Sequence, residues 1–193
     1  MRIVEFSALS RDQLDQAARI LRAAFASVPS AFAGAGAAEE EVKAFFAGDE
    51  RGALALLDGT EVMGWIGWVK TYSHSWELHP LAVDPASQRR SVGTLLVTEL
   101  ERRARAAGIL TVWLGTDDEY GGTNLYGVDV FPDVLRHAAA VEQTTRHPVA
   151  FYRKLGFEVV GLLPDVNGFG KPDILMAKRL QPWAPSTLSS GEP

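Results

Sequence analysis

The sequence W-E-L-H-P-L-A-V-D-P-A-S-Q-R-R-S-V-G-T, residues Trp76–Thr94, contains the features that decide the fold. Its first part, Trp76–Val83, alternates apolar with polar residues before an apolar end, which is typical of a half-buried strand. Pro80 has no N–H to donate to a sheet ladder. We therefore expect a break or bulge at Leu78–Pro80, which would leave backbone groups free to meet a ligand.

The second part of the stretch predicts a turn at Asp84-Pro85, a short basic loop and an amphipathic helix from about Val92. The N-terminus of a helix presents unpaired N–H groups, and together with the helix dipole these attract an anion. Arg89 and Arg90 add positive charge in the loop just before the helix. A strand, a basic loop and a helix N-terminus together predict an anion-binding site.

The composition limits the function classes. With 193 residues we expect one domain over 1–180, followed by a disordered tail at 181–193 that is rich in Pro, Ser and Gly. A hydrophobic fraction of 47% and a charged fraction of 22% support a folded core. The net charge of −5 disfavours a nucleic-acid partner and is compatible with a cationic substrate.

The chain contains no cysteine, which excludes disulfides, cysteine zinc ligands and a cysteine nucleophile. This composition fits a cytoplasmic protein. The segment Met1–Ser10 includes an acidic residue and lacks the long apolar run of a signal peptide. The sequence contains no run of 18 apolar residues, so it predicts no membrane-spanning helix.

Local signals predict the remaining elements. Ser10 is a good helix N-cap, Asp58-Gly59 is a strong hairpin signal, and Gly108 is suited to end a helix. The predicted strands and helices form a mixed α/β fold whose central sheet is mostly antiparallel. The strands are Arg2–Phe6, Ala53–Leu57, Glu61–Tyr72, Trp76–Val83, Ile109–Leu114, Phe157–Leu163 and Ile174–Lys178; the helices are Arg11–Phe25, Glu39–Ala47, Val92–Ala107, Pro132–Val141 and His147–Leu155.

The basic loop matches Q/R-x-x-G-x-G/A, the pyrophosphate loop of the GNAT superfamily of N-acetyltransferases, with Ser91 where the first glycine is usual. Over roughly Glu61–Lys178 the chain resembles one branch, the aminoglycoside 6′-N-acetyltransferases; Met1–Gly52 is only weakly similar. Four segments carry the likeness: W-E-L-H-P-L-A-V (Trp76–Val83), L-G-T-D-D-E (Leu114–Glu119), H-P-V-A-F-Y-R-K-L-G-F (His147–Phe157) and V-G-L-L-P-D-V-N-G-F-G-K-P-D-I-L-M-A-K (Val160–Lys178).

The resemblance implies a GNAT fold with the pyrophosphate loop after the fourth strand. It implies transfer of acetyl from acetyl-CoA, as co-substrate, to the 6′-amine of aminoglycoside antibiotics, and hence resistance. It implies no metal, and family members are often homodimers. Coenzyme contacts are expected from the backbone of the fourth strand, from the loop and from one tyrosine, namely Leu81, Ala82, Val83, Gln88, Arg89, Arg90, Ser91, Val92, Gly93, Thr94 and Tyr152.

The reaction requires a proton acceptor, because a primary alkyl amine with a pKa near about 10 is almost entirely protonated at neutral pH. The resemblance assigns this role to Glu77, which is expected at the strand break and alternatively only orients the ammonium. His79 matches the family motif and is expected to polarise the thioester carbonyl, to orient Glu77 or to be structural. Leu81 offers a backbone N–H as oxyanion donor, and Tyr152 is the expected acid for the leaving thiolate.

Asp117 and Asp118 directly follow a predicted buried strand. Adjacent carboxylates repel each other and favour a cation nearby, and the resemblance places the acceptor there. Glu119 and Asp173 are weaker candidates, and a divalent metal at the aspartate pair is possible but supported by neither spacing nor family.

Two alternatives remain open at the level of sequence. Because Met1–Gly52 diverges from the family and is expected to line the acceptor pocket, the acceptor could be another small amine, a polyamine or a peptide N-terminus. Ser91 and Thr145 depart from family positions that contact the coenzyme, which leaves a non-catalytic CoA-binding module as the second alternative.

Overall fold

The protein is built on one seven-stranded sheet in the order β1-β2-β3-β4-β5-β7-β6, in which β4 and β5 are parallel and all other neighbours are antiparallel. The computed structural model describes residues 1–29, 31–32, 34–46 and 49–183. The strands are β1 (Arg2–Glu5), β2 (Arg51–Asp58), β3 (Glu61–Tyr72), β4 (Ser75–Val83), β5 (Thr111–Asp117), β6 (Glu158–Leu163) and β7 (Asp173–Arg179). The fold class expected from the sequence, a mixed and mostly antiparallel sheet with helices, is confirmed.

The helices begin and end where the sequence supplies local signals. Ser10 accepts a hydrogen bond from the backbone of Gln13 and Gln13 returns one to Ser10, a capping box that starts the first helix. Gly108 and Gly156 follow two helices with φ of 76° and 85°, which glycine adopts without strain. The helices are α1 (Arg11–Ala24), α2 (Ala37–Ala44), α3 (Val92–Ala106), α4 (Val134–Ala139) and α5 (Val149–Lys154).

The helices cover the two faces of the sheet with separate apolar cores. On the α1 face, residues of α1 and α2 pack around Trp65, which is fully buried and whose Nε1 donates to the carbonyl of Ala17 at 3.0 Å. On the α3 face, residues of α3, α4 and α5 pack against the strands around Leu96, Leu100 and other apolar side chains. The apolar side chains on the two faces of the strands therefore pack against two separate helical layers.

A bulge in β4 changes which residues point to which face. β3 and β4 pair at Ile66–Leu81 and again at Trp68–Leu78, so one residue of β3 faces two of β4. The residue of β3 at this point is Gly67, where a Cβ would lie 2.4 Å from the His79 carbonyl oxygen. The bulge predicted at Leu78–Pro80 is confirmed, and the glycine opposite it makes room for the displaced strand.

β4 and β5 pair over only three residues, Ser75–Glu77 against Thr111–Trp113. Beyond them β5 continues to Asp117 along β7, while β4 continues to Val83 along β3. The two strands therefore separate and open a cleft between the second halves of β4 and β5. We call this opening the β4/β5 cleft; Glu77 is the last paired residue of β4 before it.

Several predicted bounds differ from the structure by a few residues. β5 begins at Thr111 and ends at Asp117, later than the predicted Ile109–Leu114, because its full length pairs with β7. The second helix begins at Ala37, inside the Ala/Gly-rich connection, and ends before the predicted Ala47. The predicted tail falls mostly on 184–193, which lie outside the described residues.

Candidate active site

Three carboxylates from three strands meet on the α1 face near the β4/β5 cleft. Glu77 lies between Trp76 and Leu78, which pack in the α3-face core, so its side chain points to the α1 face. Asp117 at the end of β5 is directly opposite Asp173 at the start of β7. The three strands thus assemble an acidic cluster from residues far apart in the sequence.

Asp173 is the member of this cluster whose carboxylate is partly buried and lacks a hydrogen-bond partner for one oxygen. Its Oδ1 is buried and is one of two buried side-chain oxygens in the described part of the chain that have no hydrogen-bond partner. Its carboxylate lies over Gly115, where a Cβ would be only 2.3 Å from Oδ2. Burial, then the charge of Asp117 and that of Glu77, raise the pKa of Asp173 to about 6.

Asp117 is half-buried, and its carboxylate accepts a hydrogen bond from the side-chain amide of Asn167 in the β6–β7 turn. Trp113, four residues earlier on the same face of β5, is also half-buried and donates its Nε1–H to Thr71 Oγ1 at 3.0 Å. An indole beside three carboxylates gives the α1 face both an apolar surface and negative charge. Among the described residues, no group of three or more His, Cys, Asp or Glu side chains could hold a metal ion.

Asp118 has a different environment from the one predicted. It is fully buried, and its carboxylate accepts hydrogen bonds from the backbone N–H groups of Gly122 and Thr123 and from the Thr123 hydroxyl, at 2.7–2.8 Å. The hydrogen bonds to both oxygens thus stabilise the loop after β5. The structure thus gives Asp118 a role in folding this loop, and its contact with the acceptor stays a prediction; Glu119 is buried beside it at 7% exposure.

His147 connects this acidic strand end to α5. Its Nε2 lies 3.1 Å from the carbonyl oxygen of Asp117, and its Nδ1 accepts the backbone N–H of Val149 at 3.2 Å. Burial lowers the pKa of His147. The neutral ring with its proton on Nε2 satisfies both contacts, so it holds the first turn of α5 against the end of β5.

His79 lies in the β4 bulge, two residues after Glu77. Its side chain is 44% exposed, and its Nε2 is 3.5 Å from Oε1 of Glu41 on α2. The bulge therefore brings a histidine and the base candidate to neighbouring positions at the mouth of the cleft.

The β4/β5 cleft is bordered on the other side by the backbone of Leu81–Val83. Leu81 and Val83 pack on the α3-face core, and Ala82 packs on the α1-face core, so the backbone runs edge-on to the cleft. This segment pairs only with β3. Its edge toward β5 is suited to an extended chain that adds to the sheet like another strand.

The basic loop follows β4 through a short 3₁₀ turn, Pro85–Ser87, and α3 begins directly after it. Arg89 and Ser91 have φ of 61° and 63°, in the left-handed region. Ser91 stands where the family has glycine and adopts the backbone conformation that glycine favours. Arg89, Arg90 and Ser91 are exposed, so the loop offers its charges and the N–H groups of the helix start to an anion.

Two contacts fix this loop to its surroundings. Gln88 donates its side-chain N–H to the carbonyl of Val83, and its oxygen accepts from Arg146, which the sequence did not single out. A Cβ on Gly93 would lie 3.1 Å from the ring of Phe151, so the glycine allows α5 to approach α3. Arg146 adds a further positive charge beside the loop, next to Thr145.

Tyr152 on α5 is buried between Phe151 and Phe157, with ring centroids at 5.1 and 5.6 Å. Burial raises its pKa, so the phenol stays protonated near neutral pH. A neutral phenol is a hydrogen-bond donor to a sulfur or oxygen with developing negative charge.

The model of the acetyltransferase (GNAT) family matches residues 17–126, more than half of the chain. The chain belongs to the GNAT family of acetyltransferases. The basic loop lies after β4, where the sequence resemblance to this family predicted the pyrophosphate loop. No curated protein gave a significant match.

Three solved structures are similar to this chain over nearly its whole length. An aminoglycoside 6′-N-acetyltransferase complexed with coenzyme A is 38% identical, with a TM-score of 0.86, over 96% of this chain and 100% of the other. The aminoglycoside 6′-N-acetyltransferase from Enterococcus faecium is 36% identical, with a TM-score of 0.84 and the same coverage. An aminoglycoside 6′-acetyltransferase type Ii is 34% identical, with a TM-score of 0.70, over 95% and 100%.

Of the residues that sequence reasoning put forward, the structure brings Glu77, His79 and Asp117 to the α1 face. Asp173, a weaker candidate in the sequence, becomes a central one. Glu41, Trp113 and Asn167 were missed because their placement depends on long-range packing; the N-G-F-G-K-P-D motif was the one signal that pointed to the β6–β7 turn.

Proposed function

We propose that this chain is an aminoglycoside 6′-N-acetyltransferase and that it confers resistance by acetylating the 6′-amine of these antibiotics. The observation that carries the proposal is the acidic cluster of Glu77, Asp117 and Asp173 beside the cleft of a GNAT fold. Aminoglycosides carry several ammonium groups, and the cluster supplies complementary charge. Identity of 34–38% over nearly full length to enzymes of this activity supports the same conclusion.

The cleft and the basic loop fit acetyl-CoA. The loop provides Arg89, Arg90 and the N–H groups of Val92–Thr94 for the pyrophosphate, with the left-handed residue Ser91 turning the backbone. The free edge of Leu81–Val83 is suited to the amide-containing pantetheine arm. Bound there, the coenzyme supplies the acetyl group as an activated thioester.

We assign the proton acceptor role to Glu77. It lies at the point where β4 and β5 separate, on the side where the acidic cluster would hold the amine. Removing a proton from the 6′-ammonium frees the lone pair for attack. His79, two residues later in the bulge, is placed to orient Glu77 and the reacting groups.

The remaining roles follow from the two sides of the cleft. The backbone N–H of Leu81, the first donor after Pro80, is assigned to the thioester oxygen, where negative charge develops. Tyr152, kept protonated by burial, is assigned to the departing sulfur as a hydrogen-bond donor. Asp117 and Asp173 are assigned to other ammonium groups of the acceptor, with Trp113 as an apolar floor.

The test is a thiol-release assay with acetyl-CoA and pairs of aminoglycosides that carry either an amine or a hydroxyl at the 6′ position. Release with only the 6′-amino compounds is expected, with mass spectrometry locating the acetyl group. Release with spermidine or small amines but no aminoglycoside would identify a different acceptor. Acetyl-CoA binding without release to any amine would indicate a coenzyme-binding module instead.

Three further expectations remain proposals. Residues 1–180 are proposed to form one acetyltransferase domain, since a single sheet contains strands from Arg2 to Arg179. A homodimer is proposed by analogy with the family and is tested by light scattering. A cytoplasmic location is proposed from the cysteine-free composition, and in the described part of the chain no helix is long and apolar enough to cross a membrane.

A further inference from the structure

Glu41 on α2 contacts the candidate catalytic strand from the weakly similar N-terminal part of the chain. Its side chain is 20% exposed, and its Oε1 lies 3.5 Å from His79 Nε2 and 3.2 Å from Arg51 Nη1. Neither sequence motifs nor the roles assigned above use Glu41. Glu41 is therefore a mostly buried carboxylate that contacts a histidine of the candidate site.

The contact results from packing at the β4 bulge. Gly67 lies opposite the bulge and lets the His79 carbonyl and the ring of Phe45, at the end of α2, both come close. The guanidinium of Arg51 lies over the Phe45 ring at 5.4 Å and also reaches Glu41. The bulge, α2 and the start of β2 therefore form one assembly that fixes the position of Glu41 relative to His79.

The charge state of Glu41 suits a hydrogen-bond acceptor. The contact with His79 Nε2 is the main cause that lowers the pKa of Glu41, and the charges of His79 and Arg51 add to it. Glu41 is therefore a carboxylate near neutral pH. A carboxylate that accepts from one ring nitrogen of a histidine fixes the tautomer and the orientation of the ring.

We propose that Glu41 is a positioning residue for the reaction: by accepting a hydrogen bond from Nε2 of His79, it sets the orientation of that ring in the β4 bulge. Nδ1 is thereby the nitrogen available to other partners at the cleft. The inference rests on the proposed function for its kinetic consequence, but the contact itself can be tested without turnover. It also links α2, which lies in the part of the chain expected to line the acceptor pocket, to the strand that carries Glu77.

The first measurement determines which ring nitrogen of His79 carries the proton. Two-bond ¹H–¹⁵N NMR spectra of the wild-type protein, at a pH where the ring is neutral, should show His79 with its proton on Nε2. In Glu41→Met, which keeps side-chain length but removes the acceptor, the two tautomers should become mixed. A wild-type His79 protonated on Nδ1, or a tautomer unchanged by Glu41→Met, would overturn the proposal even if the enzyme had no activity.

The second measurement is kinetic. Glu41→Met should lower kcat about tenfold with little change in the KM for acetyl-CoA, whereas Glu41→Gln, which retains an oxygen acceptor, should restore most of the activity. Glu40→Met removes a neighbouring exposed carboxylate from the same helix and should leave kcat unchanged. In a His79→Ala background, Glu41→Met should have no further effect, since both changes remove the same interaction.

The outcomes separate the inference from the proposed function. An equal loss from Glu41→Met with and without His79 would mean that Glu41 acts on the acceptor or on folding, which overturns positioning through His79. A wild-type protein that acetylates no amine but shows the expected tautomer and its loss in Glu41→Met would refute the proposed function and leave the His79–Glu41 contact intact.

Discussion

At the scale of single residues, Asp173 combines a folding penalty with the acceptor-binding role proposed above. Its pKa of about 6, against 3.8 for an unperturbed aspartate, means that the folded protein binds a proton before the unfolded chain does as the pH falls. Above about pH 6 the ionised carboxylate therefore destabilises the fold, and the penalty fades between about pH 6 and pH 4. A cationic acceptor would relieve the same penalty.

We predict that Asp173→Asn stabilises the protein by about 1–2 kcal/mol near pH 7.5, a value reduced because the carboxyl is partly in contact with solvent. The melting temperature should rise by about 2–6 °C, with a smaller gain near pH 4.5. The KM for the aminoglycoside should increase severalfold while the KM for acetyl-CoA stays constant. Thermal melts at both pH values and steady-state kinetics measure these effects.

Asp49→Asn is the matched control, because Asp49 is an exposed carboxylate outside the acidic cluster. It should change neither the pH dependence of stability nor the acceptor KM. A melting temperature for Asp173→Asn equal to that of the wild type at both pH values would contradict the predicted destabilisation by the ionised Asp173 carboxylate.

Glu77 provides the second prediction at this scale. Glu77→Gln keeps the shape of the side chain and removes the proton acceptor, so kcat should fall about 10²- to 10³-fold. Acetyl-CoA affinity, measured by calorimetry, should change little, because the coenzyme is proposed to bind through the cleft edge and the loop. Glu61→Gln, an exposed carboxylate on β3, serves as the control. Unchanged turnover across pH would exclude Glu77 as the base; a raised acceptor KM with normal kcat would assign it to orientation only.

At the scale of elements, the loop between β4 and α3 contains two left-handed residues, Arg89 and Ser91, and Ser91 directly precedes the helix. Ser91 adopts a left-handed backbone conformation, which costs roughly 1–2 kcal/mol for a residue with a Cβ and more for a β-branched one. Because α3 starts at the next residue, the direction of its N–H groups depends on this conformation.

We predict that Ser91→Val raises the KM for acetyl-CoA about tenfold and leaves the acceptor KM nearly unchanged, because only the anion-binding end of α3 is displaced. Ser91→Gly should bind acetyl-CoA at least as well as the wild type. Thr98→Val, an exposed position on the same helix, controls for the loss of a hydroxyl. Equal acetyl-CoA KM values for the valine and glycine variants at position 91 would show that the left-handed conformation is not required.

The elements also show what the sequence could and could not predict. The β2–β3 hairpin and the β4 bulge were predictable because Asp58-Gly59 and Pro80 act on their own backbone. The bounds of β5 were missed because its pairing with β7, more than fifty residues later, decides its length. The full burial of Asp118 was not predicted, because nothing local distinguishes a carboxylate that binds a ligand from one that folds the following loop.

At the scale of the whole molecule, the sheet separates two chemical tasks. The acidic cluster occupies the α1 face, and the basic loop lies at the start of α3 on the other side of the cleft. Sequence motifs located Glu77 and the loop, but the meeting of Asp117 with Asp173 and of Glu41 with His79 required the strand order and the α2 packing. Under the proposed function, a polycationic acceptor and a polyanionic coenzyme would therefore approach different faces of one sheet.

This separation makes salt dependence a test of the whole arrangement. The KM for a tetra-amino aminoglycoside should rise severalfold between about 20 mM and about 300 mM salt, since added ions screen the attraction between acceptor and carboxylates. In Asp117→Asn/Asp173→Asn the acceptor KM should start higher and depend less on salt. A monoamine acceptor should show little dependence in either protein. If the double variant retained the full wild-type salt dependence for the aminoglycoside, the attraction would come from the overall charge of −5 rather than from the acidic cluster.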